Sequence, residues 1–280
     1  PGSTFKALTV AIGIEEGVIT PETTCDVCDK PRVFGKYSIG TWNDVYTPNI
    51  TMKEALAKSD NTAMIFIAEK IGSETFQTHL KKLGIAQKVG IDLQEDRGTP
   101  FPNDWNPVKL ATVSFGQGIA VNSMQLTKAF NAIVNNGILV QPSIVESVTD
   151  SETGEVITHP IVTEGRVFSK ETARITTEML VEAAQQGEAQ WTASDTYLAA
   201  GKTGTSQVVT EKGYDKEKTI ASFIGFAPPQ HPEFVLLVKL VEPKTSIWAA
   251  ETAAPVWHTI SRKLHLLLNI FFKFSGILVC

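Results

Sequence analysis

Apolar residues recur at three- and four-residue spacing through the first two thirds of the chain, which predicts helices there. A first helix is expected from Ser3 to Glu16, closed by Gly17. The capping box Thr51–Glu54 should start a second helix, which ends near Ser59-Asp60-Asn61. These three residues favour helix ends, and a third helix should follow them and run to Gly72. Further helices are predicted over 75–83, 123–135 and 169–186, and an irregular excursion over 25–50.

The last third changes to runs rich in β-branched residues. Strands are predicted over 201–209, 219–227 and 234–241, joined by short polar connections as in an antiparallel meander. A helix over 249–268 should lie across this sheet, and 151–154 should form a hairpin turn. The pattern predicts an α/β fold, an antiparallel sheet flanked by helices, with a helical part over about 40–200 and the sheet and its helix over about 201–270.

The segment 264–280 is rich in Leu, Ile and Phe. It is shorter than the roughly 20 residues that cross a bilayer, and His265, Asn269 and Lys273 interrupt it. We interpret it as a buried terminal helix with a ragged tail. The first residues contain no signal-peptide pattern, and the chain starts at Pro1 without a Met, which suggests a fragment of a longer protein.

Composition excludes several classes of function. The net charge of −5 argues against a nucleic-acid binder, and apolar residues, 42% of the chain, suffice for a sizeable core. The five histidines are scattered, so neither a metal nor another cofactor is expected. Three cysteines are too few for a disulfide framework; Cys25 and Cys28 form an isolated C-x-x-C, for which a loop disulfide is possible but no function is favoured.

Candidate chemistry begins with Ser3 and Lys6 in an S-x-x-K pattern. Residues three apart at a helix start share a face, so a neutral lysine could take the serine proton. Alone, the pattern is weak, since capped helix starts often contain both residues. Ser59-Asp60-Asn61 and the strand start Lys202-Thr203-Gly204 follow in order, and the three patterns together are typical of class A β-lactamases and penicillin-binding proteins.

The resemblance extends beyond these motifs. The stretches 1–6, 51–68, 91–93, 114–118, 124–126, 135–137, 201–207 and 253–256 are similar to the transpeptidase domain of class B penicillin-binding proteins. The tract 59–67 is closer to division-type and sporulation-type members than to elongation-type ones. The resemblance implies that residues 1–280 are one such domain with the penicillin-binding-protein and serine β-lactamase-like fold. It also implies that the N-terminal strands are missing, which would leave an exposed sheet edge and lower stability.

The resemblance further implies a D,D-transpeptidase that cross-links peptidoglycan stem peptides and is acylated by β-lactams. Ser3 would be the nucleophile and Lys6 its general base, Ser59 would pass the proton toward the leaving amine, and Asn61 would orient Lys6 and bind the substrate amide. Lys202, Thr203, Gly204 and Thr205 would bind the substrate carboxylate and chain, with Lys202 keeping Lys6 biased toward neutrality. The backbone N–H groups of Ser3 and Thr205 would form the oxyanion hole.

Three stretches depart from the family pattern: the middle residue Asp60, the loop 94–98 and the segment 186–191. A serine β-lactamase is the main alternative, and it would need a carboxylate such as Glu95 to activate water for deacylation. A β-lactam or muropeptide sensor, or a wall-synthesis scaffold, is a second alternative. The resemblance implies a bacterial membrane anchor outside this chain, an extracytoplasmic domain, and a membrane glycosyltransferase and division proteins as partners.

Overall fold

The computed structural model describes residues 1–94, 96–194, 196–210 and 213–270. A short 3-10 helix, Gly2–Phe5, leads directly into the first α-helix. The α-helices are Lys6–Glu15 (α1), Met52–Ala57 (α2), Asn61–Ile71 (α3), Ser73–Lys82 (α4), Pro107–Ser114 (α5), Ser123–Val134 (α6), Lys170–Gln186 (α7) and Ala253–Leu267 (α8), and a second 3-10 helix spans Gln190–Thr192.

Strands occur in small pairs and in one larger sheet. They are Thr24–Cys25 (β1), Arg32–Phe34 (β2), Tyr37–Ile39 (β3), Ile50–Thr51 (β4), Ile138–Val140 (β5), Ser147–Thr149 (β6), Val156–Thr158 (β7), Thr163–Arg166 (β8), Ala200–Thr210 (β9), Gly213–Ala227 (β10) and Phe234–Val241 (β11). The antiparallel pairs are β1 with β4, β2 with β3, β5 with β8 and β6 with β7.

The predicted meander is confirmed as a three-stranded antiparallel sheet in the order β11-β10-β9. Alternate side chains of β10 enter different cores. Ile224 and Phe226 join the cluster that contains α1 and α3, whereas Ala221 and Phe223 pack with Trp257 of α8 on the other face. The sheet is therefore a middle layer between the helical part and α8, because successive strand residues point to opposite faces.

The helical part is assembled around α1 and α3, which the sequence predicted from their apolar spacing. From Lys6 to Gly13 every residue of α1 is buried, and α3 is buried over Thr62–Ala68. The predicted capping box of α2 is present: the Thr51 hydroxyl accepts from the Glu54 N–H, and the Glu54 carboxylate accepts from the Thr51 N–H. Burial on all sides makes α1 a rigid base for the residues at its start.

Several expectations need correction. The first helix starts as a 3-10 turn and becomes α-helical only at Lys6, and α5 was not predicted because only eight residues carry its pattern. The excursion over 25–50 contains four short strands, and β5 and β8 pair although they are distant in sequence. The hairpin turn at 151–154 is present between β6 and β7.

The terminal helix differs from the buried helix that we expected over 264–280. It ends at Leu267, and Leu266 and Leu267 are exposed, because the face turned toward the sheet is occupied by Trp257, Ser261 and His265. Residues 271–280 lie outside the described residues. Within the described part of the chain, no helix has the length and apolar character that a membrane crossing requires.

Trp257 generates a test of the layered architecture. It is fully buried between α8 and the face of the sheet, where it contacts Phe223 of β10 and Phe234 of β11, and its indole Nε1 donates to the Leu236 carbonyl at 2.8 Å. Trp257→Ala should lower the free energy of unfolding by about 3–5 kcal/mol, because it leaves a cavity and removes the hydrogen bond to the Leu236 carbonyl. Urea denaturation measures this loss. The exposed Trp191, changed to Ala, should cost less than about 1 kcal/mol, and equal losses in the two variants would contradict the architecture.

Candidate active site

Ser3 lies in the 3-10 turn ahead of α1, at the wall of a cavity of about 400 Å³. The turn is held against the end of α5, where the Gly2 N–H donates to the Gly116 carbonyl at 3.1 Å. Gly116 adopts φ +82°, and a Cβ there would overlap the Gly2 backbone. The Ser-Phe-Gly-Gln-Gly tract at 114–118 therefore positions Ser3 through close backbone contact, which only glycine permits at Gly116.

Lys6 is fully buried at the first position of α1, facing the start of α3. Its Nζ donates to the Ser59 carbonyl at 2.5 Å and to the Ser59 hydroxyl at 3.1 Å. Burial, and secondarily the charge of Lys202, lower the pKa of Lys6 from 10.5 to about 7, against the raising effect of Glu188 and Asp60. An amine with this pKa is neutral in a large fraction of molecules near pH 7 and can accept a proton.

Ser59 occupies a left-handed backbone conformation, φ +58°, between α2 and α3. Asp60 then caps α3: its carboxylate accepts from the Ala63 N–H at 3.0 Å and from the Thr62 hydroxyl at 2.6 Å. The sharp turn directs both the Ser59 carbonyl and the Ser59 hydroxyl at Lys6. Asp60, which departs from the family pattern, thus has a structural role as the helix cap.

Asn61 lines the same cavity as Ser3, but its contacts differ from those expected. Its Nδ2 donates to the Gly40 carbonyl at 2.9 Å, and no hydrogen bond joins it to Lys6 in the described part of the chain. In this structure Asn61 therefore contacts Gly40 and not Lys6, and its predicted role in orienting Lys6 stays a prediction. Ser59 holds the amine instead, since two of its oxygens already accept from it.

Lys202 and Thr203 begin the strand that flanks the site. Lys202 is buried, and its Nζ donates to the Thr203 hydroxyl at 3.1 Å; that hydroxyl donates to Glu188 at 2.9 Å. Burial lowers the pKa of Lys202, while Glu188 opposes the shift. Glu188 was not predicted as a site residue. It lies in the segment 186–191 that departs from the family pattern, between α7 and the second 3-10 helix, and that departure is the one sequence signal that could have identified it.

Gly204 and Thr205 continue β9 past Ser3. A Cβ at Gly204 would lie 2.8 Å from Thr4, so the absent side chain lets β9 approach the 3-10 turn. The Thr205 hydroxyl accepts from the Ala249 N–H at 3.0 Å, and Thr205 and Gln207 line the Ser3 cavity. Within the described residues β9 is an edge strand, paired only with β10. Its free edge can pair with an extended peptide.

Two tryptophans that we did not assign to the site complete the wall of the Ser3 cavity. Trp42 and Trp248 lie edge to face with ring centroids 5.4 Å apart, and both line the cavity. The Trp42 indole Nε1 donates to the Lys58 carbonyl at 3.4 Å. Both residues lie in loops far apart in sequence, so no sequence pattern pointed to this pair.

Other predicted features lie outside this cluster. Glu95, the carboxylate required by the β-lactamase alternative, lies outside the described residues. Cys25 and Cys28 form a buried disulfide at the strand pair β1–β4, the possibility that the sequence left open. Across the described ranges, no three His, Cys, Asp or Glu side chains gather closely enough to hold a metal ion.

The sequence and the fold match one family of proteins. The family model described as "Penicillin binding protein transpeptidase domain" matches residues 1–262. This chain belongs to that family. The resemblance to class B members is thus confirmed. Stage V sporulation protein D of Bacillus subtilis is 33% identical over 268 residues, covering 94% of this chain and 41% of that protein. FtsI of Buchnera aphidicola is 30% identical over 276 residues, covering 96% and 46% respectively.

Solved structures of transpeptidase domains share the fold. Penicillin-binding protein 3 of Mycobacterium tuberculosis, in complex with aztreonam, superposes with a TM-score of 0.89 at 25% identity, covering 100% of this chain and 65% of that one. The transpeptidase domain of penicillin-binding protein 3 from Burkholderia pseudomallei superposes at 0.85 with 28% identity, covering 98% and 81%. The predicted transpeptidase fold is confirmed. The chain spans less than half the length of the two sequence relatives above.

The contact between Gly2 and Gly116 predicts a specific sensitivity of this transpeptidase domain. Gly116→Ala should lower the free energy of unfolding by roughly 2–4 kcal/mol, because the new Cβ must displace the Gly2 backbone as well as adopt a positive φ. Urea unfolding measures the loss. Gly17→Ala is the matched control, since Gly17 has φ +66° and open space around its Cα. Equal losses in both variants would mean that positive φ alone, and not the close contact, sets the cost.

Proposed function

We propose that this chain is the acyl-transferring domain of a peptidoglycan D,D-transpeptidase and that β-lactams acylate it at Ser3. The observation that carries the proposal is the amine of Lys6, which is buried, has a pKa of about 7 and is bound to Ser59, one helical turn from Ser3. Ordinary structural lysines remain charged at neutral pH, whereas a base for a serine must be free of its proton. Family membership and relatives named as D,D-transpeptidases support the substrate class.

The proposed first step attacks the amide between two terminal D-alanines. The Ser3 oxygen forms an ester with the carbonyl of the penultimate residue as its proton passes to Lys6. The amide C–N bond then breaks, and the terminal D-alanine leaves as an amine that takes a proton through Ser59. The backbone N–H groups of Ser3 and Thr205 stabilise the oxyanion, an effect typically worth a few kcal/mol per donor.

Substrate binding uses the edge of β9. Lys202, Thr203 and Thr205 bind the terminal carboxylate, and Gly204 permits the strand to lie close to the Ser3 turn. The Asn61 side chain, already in the cavity wall, binds the substrate amide. An amine from a neighbouring stem peptide then attacks the ester and restores the Ser3 hydroxyl. Neither a metal nor another cofactor takes part in this scheme.

The longer proteins that share this domain extend the proposal to the whole molecule. We propose that the complete protein is anchored in a bacterial cell membrane with this domain outside the cytoplasm. A membrane glycosyltransferase and division or sporulation proteins would be its partners, as the resemblance to class B members implies; one relative is itself named a sporulation protein. These contacts would involve regions other than the cavity described above.

Intact-protein mass spectrometry after addition of a penicillin tests the proposal directly. We expect a covalent adduct of one penicillin that persists for hours and is absent from Ser3→Ala. No adduct on folded protein would overturn the proposal. An adduct that disappears within minutes while the penicillin is consumed would instead favour a β-lactamase. A stable adduct without cross-linking of stem peptides, in protein assayed with its polymerase partner, would favour a sensor.

The pH dependence of acylation tests the role of Lys6. Because the neutral amine is the active form, the acylation rate should rise with pH and level off above a midpoint near 7. Asp60→Asn keeps a residue that caps helices but removes a charge that raises the pKa of Lys6, so the midpoint should move to lower pH. Stopped-flow acylation with a fluorescent penicillin measures both profiles.

Glu152→Gln, in the exposed hairpin turn, is the control for this pH experiment and should leave the midpoint in place. A flat profile between pH 5 and 9, or an Asp60→Asn midpoint that moves upward, would exclude Lys6 as the base whose protonation controls the rate.

A further inference from the structure

A second cavity, of about 540 Å³, continues from the Ser3 cavity along β9. The two share Gln117 and Gln207, so a molecule bound at Ser3 can reach both. Its walls are largely apolar. They come mainly from the loop 100–102, the loop 116–121 and the strand residues 206–208, with Pro1, Lys109 and Ile220 completing the lining. A cavity with apolar walls that opens from a reactive centre is suited to binding another part of the same substrate.

Lys109 carries the only charged side chain among the described residues that line this cavity. It is half-buried in α5, and its Nζ donates to the Gly118 carbonyl at 3.3 Å. None of the carboxylates in the described ranges lies within ion-pair distance of it. The Lys109 ammonium has three N–H donors and uses one of them for Gly118, so it can donate to a ligand in the cavity. A carboxylate ligand there would be bound both by charge and by hydrogen bonds.

The register of β9 relates this cavity to a definite part of the substrate. In the proposed function the terminal carboxylate lies at Lys202 and Thr203, and the scissile carbonyl lies between Ser3 and Thr205. A donor peptide paired antiparallel with β9 then advances about 3.3 Å per residue toward Gln207 and Val208. One position beyond Thr205 is Ser206, so the residue that precedes the two D-alanines is opposite Ser206 and next to Gln207, and both of these residues line the second cavity.

We propose that the second cavity binds the side chain of the donor residue immediately before D-alanyl-D-alanine, and that this side chain ends in a carboxylate bound by Lys109. The inference rests on the proposed function, because it uses the binding direction along β9. It goes beyond that function by assigning a specificity for one residue of the donor peptide to a single lysine.

Competition for Ser3 acylation tests this assignment. The probes are N-acetyl-Xaa-D-alanyl-D-alanine peptides in which Xaa side chains of equal length end in a carboxylate, a carboxamide or an ammonium. The measurement is the peptide concentration that halves the rate of acylation by a fluorescent penicillin. We expect the carboxylate peptide to halve the rate at about a tenfold lower concentration than the carboxamide peptide. A difference of this size corresponds to one charge-assisted hydrogen bond.

Variants of Lys109 separate this contact from other sources of preference. Lys109→Met should reduce the tenfold ratio to about one, and Lys109→Arg should restore most of it. Lys170→Met is the matched control, since Lys170 is an exposed lysine of α7 that lines neither cavity. The control should keep the full ratio, which excludes a simple effect of net charge.

Two groups of outcomes would overturn the assignment. Equal competition by the three peptides, or no competition by any of them, would show that the second cavity does not distinguish the side chains of the residue before D-alanyl-D-alanine. A carboxylate preference that survives in Lys109→Met would place the recognition elsewhere. If the penicillin itself fails to acylate Ser3 in the unaltered chain, the proposed function fails, and this inference fails with it.

Discussion

The burial of the Lys6 amine is the interaction on which the rest of the site depends. A charged amine without water is unfavourable, so the pKa of Lys6 falls and the neutral form becomes available near pH 7. That form still needs hydrogen-bond partners, which the Ser59 carbonyl and hydroxyl supply. The left-handed backbone conformation of Ser59 directs its carbonyl and its hydroxyl toward Lys6 together. Asp60 stabilises this turn by capping α3.

Opposing charges adjust the same amine from two sides. Lys202 lowers the pKa of Lys6, and Glu188 and Asp60 raise it, so the value near 7 is a balance rather than the result of burial alone. Glu188 also accepts from Thr203, which in turn is bound by Lys202. One carboxylate thereby links the electrostatics of the base to the strand that would bind substrate. A change at Glu188 should therefore alter both the pKa of Lys6 and the hydrogen bonds of Thr203.

Close backbone packing allows these groups to meet. Gly116 lets α5 approach the turn that carries Ser3, and Gly204 lets β9 approach it from the sheet. A side chain at either position would overlap the turn that carries Ser3, so it would push the neighbouring segment away from that turn. The cleft that results runs along the edge of β9, past the tryptophan pair Trp42 and Trp248, and into the cavity that contains Lys109. The geometry thus offers one continuous path for an extended peptide.

The sequence by itself determined the local elements and the family. Apolar spacing, the capping box at Thr51 and the β-branched runs after residue 200 identified most helices and all three strands of the sheet, because these signals depend on neighbours in the chain. Tertiary structure alone decided the contacts of Asn61 with Gly40, the entry of Glu188 into the site, and the meeting of Trp42 with Trp248. Those contacts join residues from separate loops and strands, and no periodicity encodes the distance between such segments. The same holds for the pKa of Lys6, which depends on burial and on charges that only folding brings together.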